Sequence, residues 1–135
     1  MTYLNGVEWT VHALADAVRS GRLRAEEVVS AALARIEAYN LRLNAFVYID
    51  HDQAINDARA VDRVVQGGGD PGCFAGVPIG IKDLHEQVRS MPTSDGSLLY
   101  KGTAPAACDT PHVALLRAAG AVIVGVSQAA GAVPL

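Results

Sequence analysis

A lysine closes a short alternating run in this chain, and its chemistry depends on how it is held. In Gly76-Val77-Pro78-Ile79-Gly80-Ile81-Lys82-Asp83, the residues Val77, Ile79 and Ile81 alternate with Pro78, Gly80 and Lys82. That is the two-residue period of a strand. Lys82 therefore shares a face with Gly80 and points away from the aliphatic row. Two readings follow. Lys82 is a solvated charge at a strand end, or it is an amine held in space that Gly80 leaves open. In the second case it accepts a proton only if its surroundings disfavour the ammonium form. A free lysine titrates near ~10.4, and desolvation lowers that value.

Other residues of catalytic type give less. Ser97 follows Asp95-Gly96, a turn context in which a hydroxyl bonds to nearby backbone rather than attacking substrate. Gly67-Gly68-Gly69 follows a helical pattern and lacks the lysine and Ser/Thr of a phosphate loop, so it reads as a flexible linker. Ala119-Gly120-Ala121 lacks the glycine spacing of a dinucleotide fingerprint. His85-Glu86 begins as a zinc-protease helix does, but Arg89 stands where the second histidine is required. His12, His51, His85 and His112 are dispersed, without ligand spacing. No metal and no cofactor are expected. Cys73 and Cys108 form no CxxC pair. With no readable secretory signal they are expected to be free thiols of a cytoplasmic protein, and Cys73 to be a small packed residue.

A chain of 135 residues is enough for one domain. Half of it is hydrophobic and 19% is charged, but only 5% is aromatic, so the core must be aliphatic. The net charge of −3 is scattered, which makes nucleic acid and anionic membrane poor partners. No apolar stretch is long enough to span a bilayer.

The elements that must carry Lys82 read as alternating helices and strands. Thr10 caps a first helix whose apolar positions are Val11, Leu14, Ala15 and Val18, and Ser20-Gly21 ends it. A second helix is expected over 25–39, with Glu26 and Glu27 in its first turn and Arg24 as a weak cap. Asn44 to Asp50 reads as a strand, and a third helix as 51–66. After the glycine loop comes the strand to Lys82, then an irregular stretch over 85–108. Asp109-Thr110-Pro111 starts a fourth helix, and Gly120 stops it. Ala121 to Val126 is an uninterrupted apolar run, the pattern of a strand covered on both faces. The class is α/β, with helices packed on a mixed, mostly buried sheet. Such a strand needs neighbours, and the chain offers few, so it is expected to be the beginning of a larger domain.

The order of these segments resembles the amidase signature family from Leu43 to Gly125. Four motifs carry the likeness: Asn44-Ala45-Phe46; Ala75 to Asp83; Pro92-Thr93 with Gly96-Ser97 and Tyr100; and Asp109, Val113, Leu116 and Ala119 to Gly125. The resemblance implies that the whole chain, 1–135, is the N-terminal segment of one amidase-signature domain. Residues 1–43 would be a helical arm and 44–135 the start of its α/β core. It also implies a Ser–Ser–Lys amidase, in which neutral Lys82 is the general base, taking a proton from a bridging serine. That serine activates the nucleophile that attacks a carboxamide, and no cofactor takes part. Asp83 is expected to be structural, orienting the strand end or capping the next turn.

The departures are equally specific. The family's two serines lie in a "GGSSGG"-like segment, and Ser20, Ser30, Ser90, Ser94, Ser97 and Ser127 have no such context. The oxyanion donors of that segment are missing too. Val126 replaces the lysine of a usual "GKT" or "GKS", Gln128-Ala129-Ala130-Gly131 replaces an acidic-aromatic continuation, and Ser90 stands at a usual glycine. The tail is expected to be diverged, truncated or out of frame, and the chain alone inactive. Two functions are thus expected: an amidase arm acting on a small-molecule amide, or a non-catalytic scaffold that binds or assembles with a partner, an oligomer included. Leu84 stands where the family members that work on misacylated tRNA more often carry asparagine, which points away from that branch.

Overall fold

The computed structural model describes residues 3–129. Along the chain run β1 (Tyr3–Leu4), β2 (Val7–Glu8), α1 (Val11–Arg19), α2 (Ala25–Leu43), β3 (Phe46–Ile49), α3 (His51–Gln66), β4 (Pro78–Lys82), α4 (Pro111–Ala118) and β5 (Val122–Ser127), with a 3₁₀ turn at Leu98–Tyr100. Of the expected tail divergence, Ala130 and Gly131 lie outside the described residues.

Three strands form a mixed sheet in the order β3-β5-β4. The antiparallel partner of β5 is β3, and the parallel partner is β4. The apolar run of β5 takes the central place because it has no polar side chain to show to solvent. Its Val122 and Val124 pack with Val18, Val28, Val29, Ala54 and Ala58 from α1, α2 and α3. Ile123 and Val126 join Ile81, Val88, Met91 and Val113 on the other side. Residues 124 and 126 would share a face in a regular strand. They do not, because the pairing steps from Ile79–Ile123 to Gly80–Gly125 and leaves Val124 as the extra residue of a bulge.

Local chemistry explains most boundaries. The Thr10 hydroxyl accepts from the Ala13 amide at 3.3 Å at the start of α1. The second helix runs four residues past its expected end at Tyr39. Asn44 then takes a left-handed conformation, φ 48°, and its amide bonds to the Asn40 carbonyl at 2.7 Å. The weak cap at Arg24 is made good from elsewhere. Asp62 of α3 accepts from the Ala25 and Glu26 amides at 2.6 and 3.1 Å, and Glu27 accepts from the Arg24 amide at 2.9 Å. Asn5-Gly6 closes the β1–β2 hairpin with both residues at positive φ, a mirror-image turn that this dipeptide favours.

The glycine loop, expected to be flexible, leads into a segment that is docked. The Phe74 and Gly76 amides bond to the carbonyls of Ala119 and Gly120 at 2.8 and 2.9 Å. Gly120 has φ 90°, and a Cβ there would stand 2.1 Å from the Pro71 carbonyl oxygen, so no other residue fits the crossing. The irregular stretch after β4 is anchored by fully buried Val88 and Met91 and by the Ser90 and Ala106 amides, which bond across to Ala106 and Met91.

Candidate functional site

Parallel pairing brings the carboxyl ends of β4 and β5 together. Lys82 is in register with Ser127, and the Asp83 amide extends the ladder by bonding to the Ser127 carbonyl at 2.9 Å. By the alternation of β4, Lys82 lies on the side of Gly80, opposite Ile79 and Ile81, which join the second core. The space beside Gly80 is not an open cavity. The Phe46 ring fills it, so that a Cβ at Gly80 would sit 2.8 Å from a ring carbon. The register partner Gly125 is covered by the same ring and by the Tyr48 carbonyl oxygen, 2.3 Å from an added Cβ. Asn40 holds the ring's residue in place. Its side-chain carbonyl accepts from the Phe46 amide at 2.8 Å, and its NH₂ donates to the Phe46 carbonyl at 2.9 Å. The space that one of the two readings of Lys82 requires beside Gly80 is thus taken by the ring. The glycine pair admits an aromatic ring, and Lys82 itself is exposed. No described residue forms an ion pair with it.

The neighbouring carboxylate has the opposite fate. Asp83 is 1% exposed. It accepts from the Ser94 hydroxyl, from the Ser94 and Asp95 amides at 2.8 and 3.2 Å, and from the Gly96 amide at 3.5 Å. Burial alone raises a carboxyl's pKa, but this fan of donors outweighs it and holds Asp83 below the usual carboxylate range. Asp83 is thus the clasp between the end of β4 and the 94–96 turn, the structural role its position suggests. Ser94, its chief partner, is eleven residues away in sequence and has no local signature. Only the Ser-Asp-Gly turn pattern hints at a run of free amides.

Beside this clasp lies a cleft of 380 Å³ between the start of β3, the end of β5 and the 92–102 segment. Tyr48, Leu98 and Tyr100 supply apolar lining, and Asn44, Ser94, Ser97 and Gln128 supply polar groups. Ser97 behaves as a turn serine, its hydroxyl oxygen accepting from the Leu99 amide at 3.2 Å. Glu86 receives the Thr110 hydroxyl and lies 3.0 Å from His112 Nδ1, and these two partners hold its carboxyl below the usual range. Glu86 thus ties the loop after β4 to the start of α4. Cys73 and Cys108 are free and both exposed. For Cys73 this corrects the expectation of a packed side chain, because the loop docks there through the Phe74 amide rather than through the thiol. Among the described residues, no group of three or more His, Cys, Asp or Glu could hold a metal.

A lysine at the end of a parallel strand, a buried aspartate after it and an aromatic ring over a glycine pair make the geometry of the Asn-Ala-Phe and Gly-Ile-Lys-Asp motifs. The family model described as "Amidase" matches residues 27–130. The chain belongs to the amidase family. Among its relatives, the putative amidase AmiD of Mycobacterium tuberculosis is 39% identical over 112 residues, covering 83% of this chain and 23% of the relative. A component of the glutamyl-tRNA(Gln) amidotransferase of Streptomyces avermitilis is 37% identical over 124 residues, covering 92% of this chain and 24% of the relative. The crystallised peptide amidase of Stenotrophomonas maltophilia superimposes with a TM-score of 0.80 at 33% identity, over 89% of this chain and 24% of that one. This amidase-family chain therefore spans about a quarter of the length of the relatives it matches. The mixed α/β architecture is that of a fragment of the amidase-signature fold.

Proposed function

We propose that this chain is the lysine-bearing arm of an amide hydrolase. In this reading Lys82 is the general base of a Ser–Ser–Lys triad acting on carbon–nitrogen bonds of a small carboxamide. Both serines and the oxyanion donors come from outside the 135 residues. The observation that carries the reading is the placement of Lys82. Parallel pairing with β5 sets it at the carboxyl end of the strand, and the buried Asp83 clasp fixes the backbone next to it. That end of a parallel sheet is where α/β enzymes gather reacting groups.

The described residues leave Lys82 exposed. The desolvation that makes it a base must then come with the segment that brings the serines. One triad member in three is accordingly expected to give no turnover. No described helix is long and apolar enough to cross a membrane, and the reading places the enzyme in the cytoplasm, with the helices before Asn44 as an arm on a single domain.

The test has two parts. The 135-residue chain should hydrolyse no carboxamide and take no serine-directed fluorophosphonate label, and labelling would sink the reading. When this chain replaces the equivalent quarter of an active relative, Lys82→Ala should lower kcat/KM by about 10²–10⁴-fold. Activity unchanged by that substitution would favour a second reading, a non-catalytic scaffold. Val126 in the second core, where the family usually has lysine, supports that second reading.

A further inference from the structure

We infer that Phe46 is a positioning residue for Lys82, and that the helical arm acts on the site through this ring. The inference rests on the reading of Lys82 as the base. It starts from the register of the sheet. Phe46 of β3 and Lys82 of β4 both pair with Ser127 of β5, so the three form one row across the same face. Gly80 and Gly125 pair with each other on that face, one step of the strand period before Lys82 and Ser127. The Phe46 ring leans from its own row onto this glycine pair. An added Cβ would stand 2.8 Å from the ring at Gly80 and 3.2 Å at Gly125. The ring packs against the core made by α1, α2 and α3, while Ile79 and Ile81 turn to the other core.

A lysine has a flexible four-carbon stem. Beside a bare glycine two positions back on the same face, that stem is free to fold along its own strand. Here the ring fills the space over Gly80. The rotamers left to Lys82 carry its amine away from Gly80, toward the carboxyl end of β4, where the serines must arrive. A ring fixed by the fold thus removes conformations that the lysine would otherwise have to give up on assembly of the triad. The ring's own residue is fixed from the arm. Asn40 of α2 accepts from the Phe46 amide at 2.8 Å and donates to the Phe46 carbonyl at 2.9 Å, and the start of α2 is tied to α3 through Asp62. Phe46 does not line the cleft beside Asp83, so its influence on the reaction runs through the lysine.

The first test uses the whole 135-residue chain. Three-bond NMR couplings about χ1 of Lys82 should report one dominant rotamer, with no NOE from the stem to the Gly80 α-protons. Phe46→Leu should average the couplings and bring that NOE in, while the amide spectrum of α1 and α3 verifies the fold. Phe46→Leu with Gly80→Ala, which puts a methyl where the ring stood, should restore a single rotamer. Averaged couplings in the parent chain, or couplings that ignore Phe46→Leu, overturn the inference. The second test uses the hybrid with an active relative, with kcat counted per site titrated by a fluorophosphonate, so that misfolded molecules drop out. Phe46→Leu should lower kcat roughly three- to tenfold with KM unchanged, as the lysine spreads over more staggered wells. The double variant should recover most of the loss. An unchanged kcat, a loss confined to KM, or a double variant no better than Phe46→Leu overturns the positioning role. A hybrid indifferent to Lys82→Ala fails the triad reading instead, and the couplings still decide by themselves whether Phe46 holds Lys82.

Discussion

Lys82 and Asp83 are adjacent in sequence and opposite in environment. The lysine stands in solvent at the strand end, while the aspartate turns inward and collects the hydroxyl and three amides of the 94–96 turn. A buried carboxylate is tolerated only when its charge is answered, and here backbone dipoles answer it. Replacing it by asparagine removes one acceptor and places an NH₂ where donors converge. Asp83→Asn should cost about 1–3 kcal/mol in urea unfolding. It should also speed hydrogen exchange at the Ser94, Asp95 and Gly96 amides while leaving α2 and α3 protected. The pH dependence has a definite sign. The folded pKa of Asp83 is depressed, so its stabilisation is fully present above the unfolded carboxyl value of about 3.9. It is lost as pH falls through the depressed folded value. The wild-type chain should therefore lose stability in that acid window with a steeper slope than Asp83→Asn.

Between elements, contacts distant in sequence complete what local sequence leaves open. Arg24 is a poor cap, and the Ala25 and Glu26 amides at the start of α2 would be unpaired without Asp62. That aspartate sits on the buried side of α3, so capping and helix packing are one interaction. Asp62→Ala should destabilise the chain by about 1–2 kcal/mol, read from urea midpoints. Its exchange signature should fall on the Ala25 and Glu26 amides of α2, not on α3, where the substitution is made. The strand pair shows the same logic. In sequence Gly80 reads as room for a functional amine, but facing Gly125 across the ladder it makes a floor for Phe46, which Asn40 locks from α2. Three glycine-, aromatic- and amide-bearing segments are thus one packing unit. The strand period of β4 is readable from residues 76–83, whereas the occupant of the space above it is not, because Phe46 reaches Gly80 only after β5 has seated between their strands.

Across the whole molecule, one guanidinium joins the helical layers on the two faces of the sheet. Arg117 of α4 donates to Asp57 of α3 at 2.5 Å and to Asp109 at 3.0 Å. Asp109 in turn accepts from the Arg89 amide at 2.7 Å. With its side chain 16% exposed, Arg117 is shielded enough for loss of its charge to leave two carboxylates poorly answered. Arg117→Met keeps the apolar stem and should still lower stability by about 1–3 kcal/mol, with a loss that shrinks in high salt. The elements made by repeating local patterns were legible in the chain: α1 and α3 from their apolar stripes and caps, β5 from its unbroken apolar run, and the family from four motifs in order. Those signals are local because hydrogen bonding and side-chain periodicity within one helix or strand depend on neighbours a few residues away. Tertiary structure alone decided that Asp62 caps α2 from 37 positions away, that Phe46 fills the space beside Gly80, and that Asp83 rather than Lys82 is the buried member of the pair. Each of these depends on which surfaces meet once the sheet and helices pack, and no spacing along the chain encodes that.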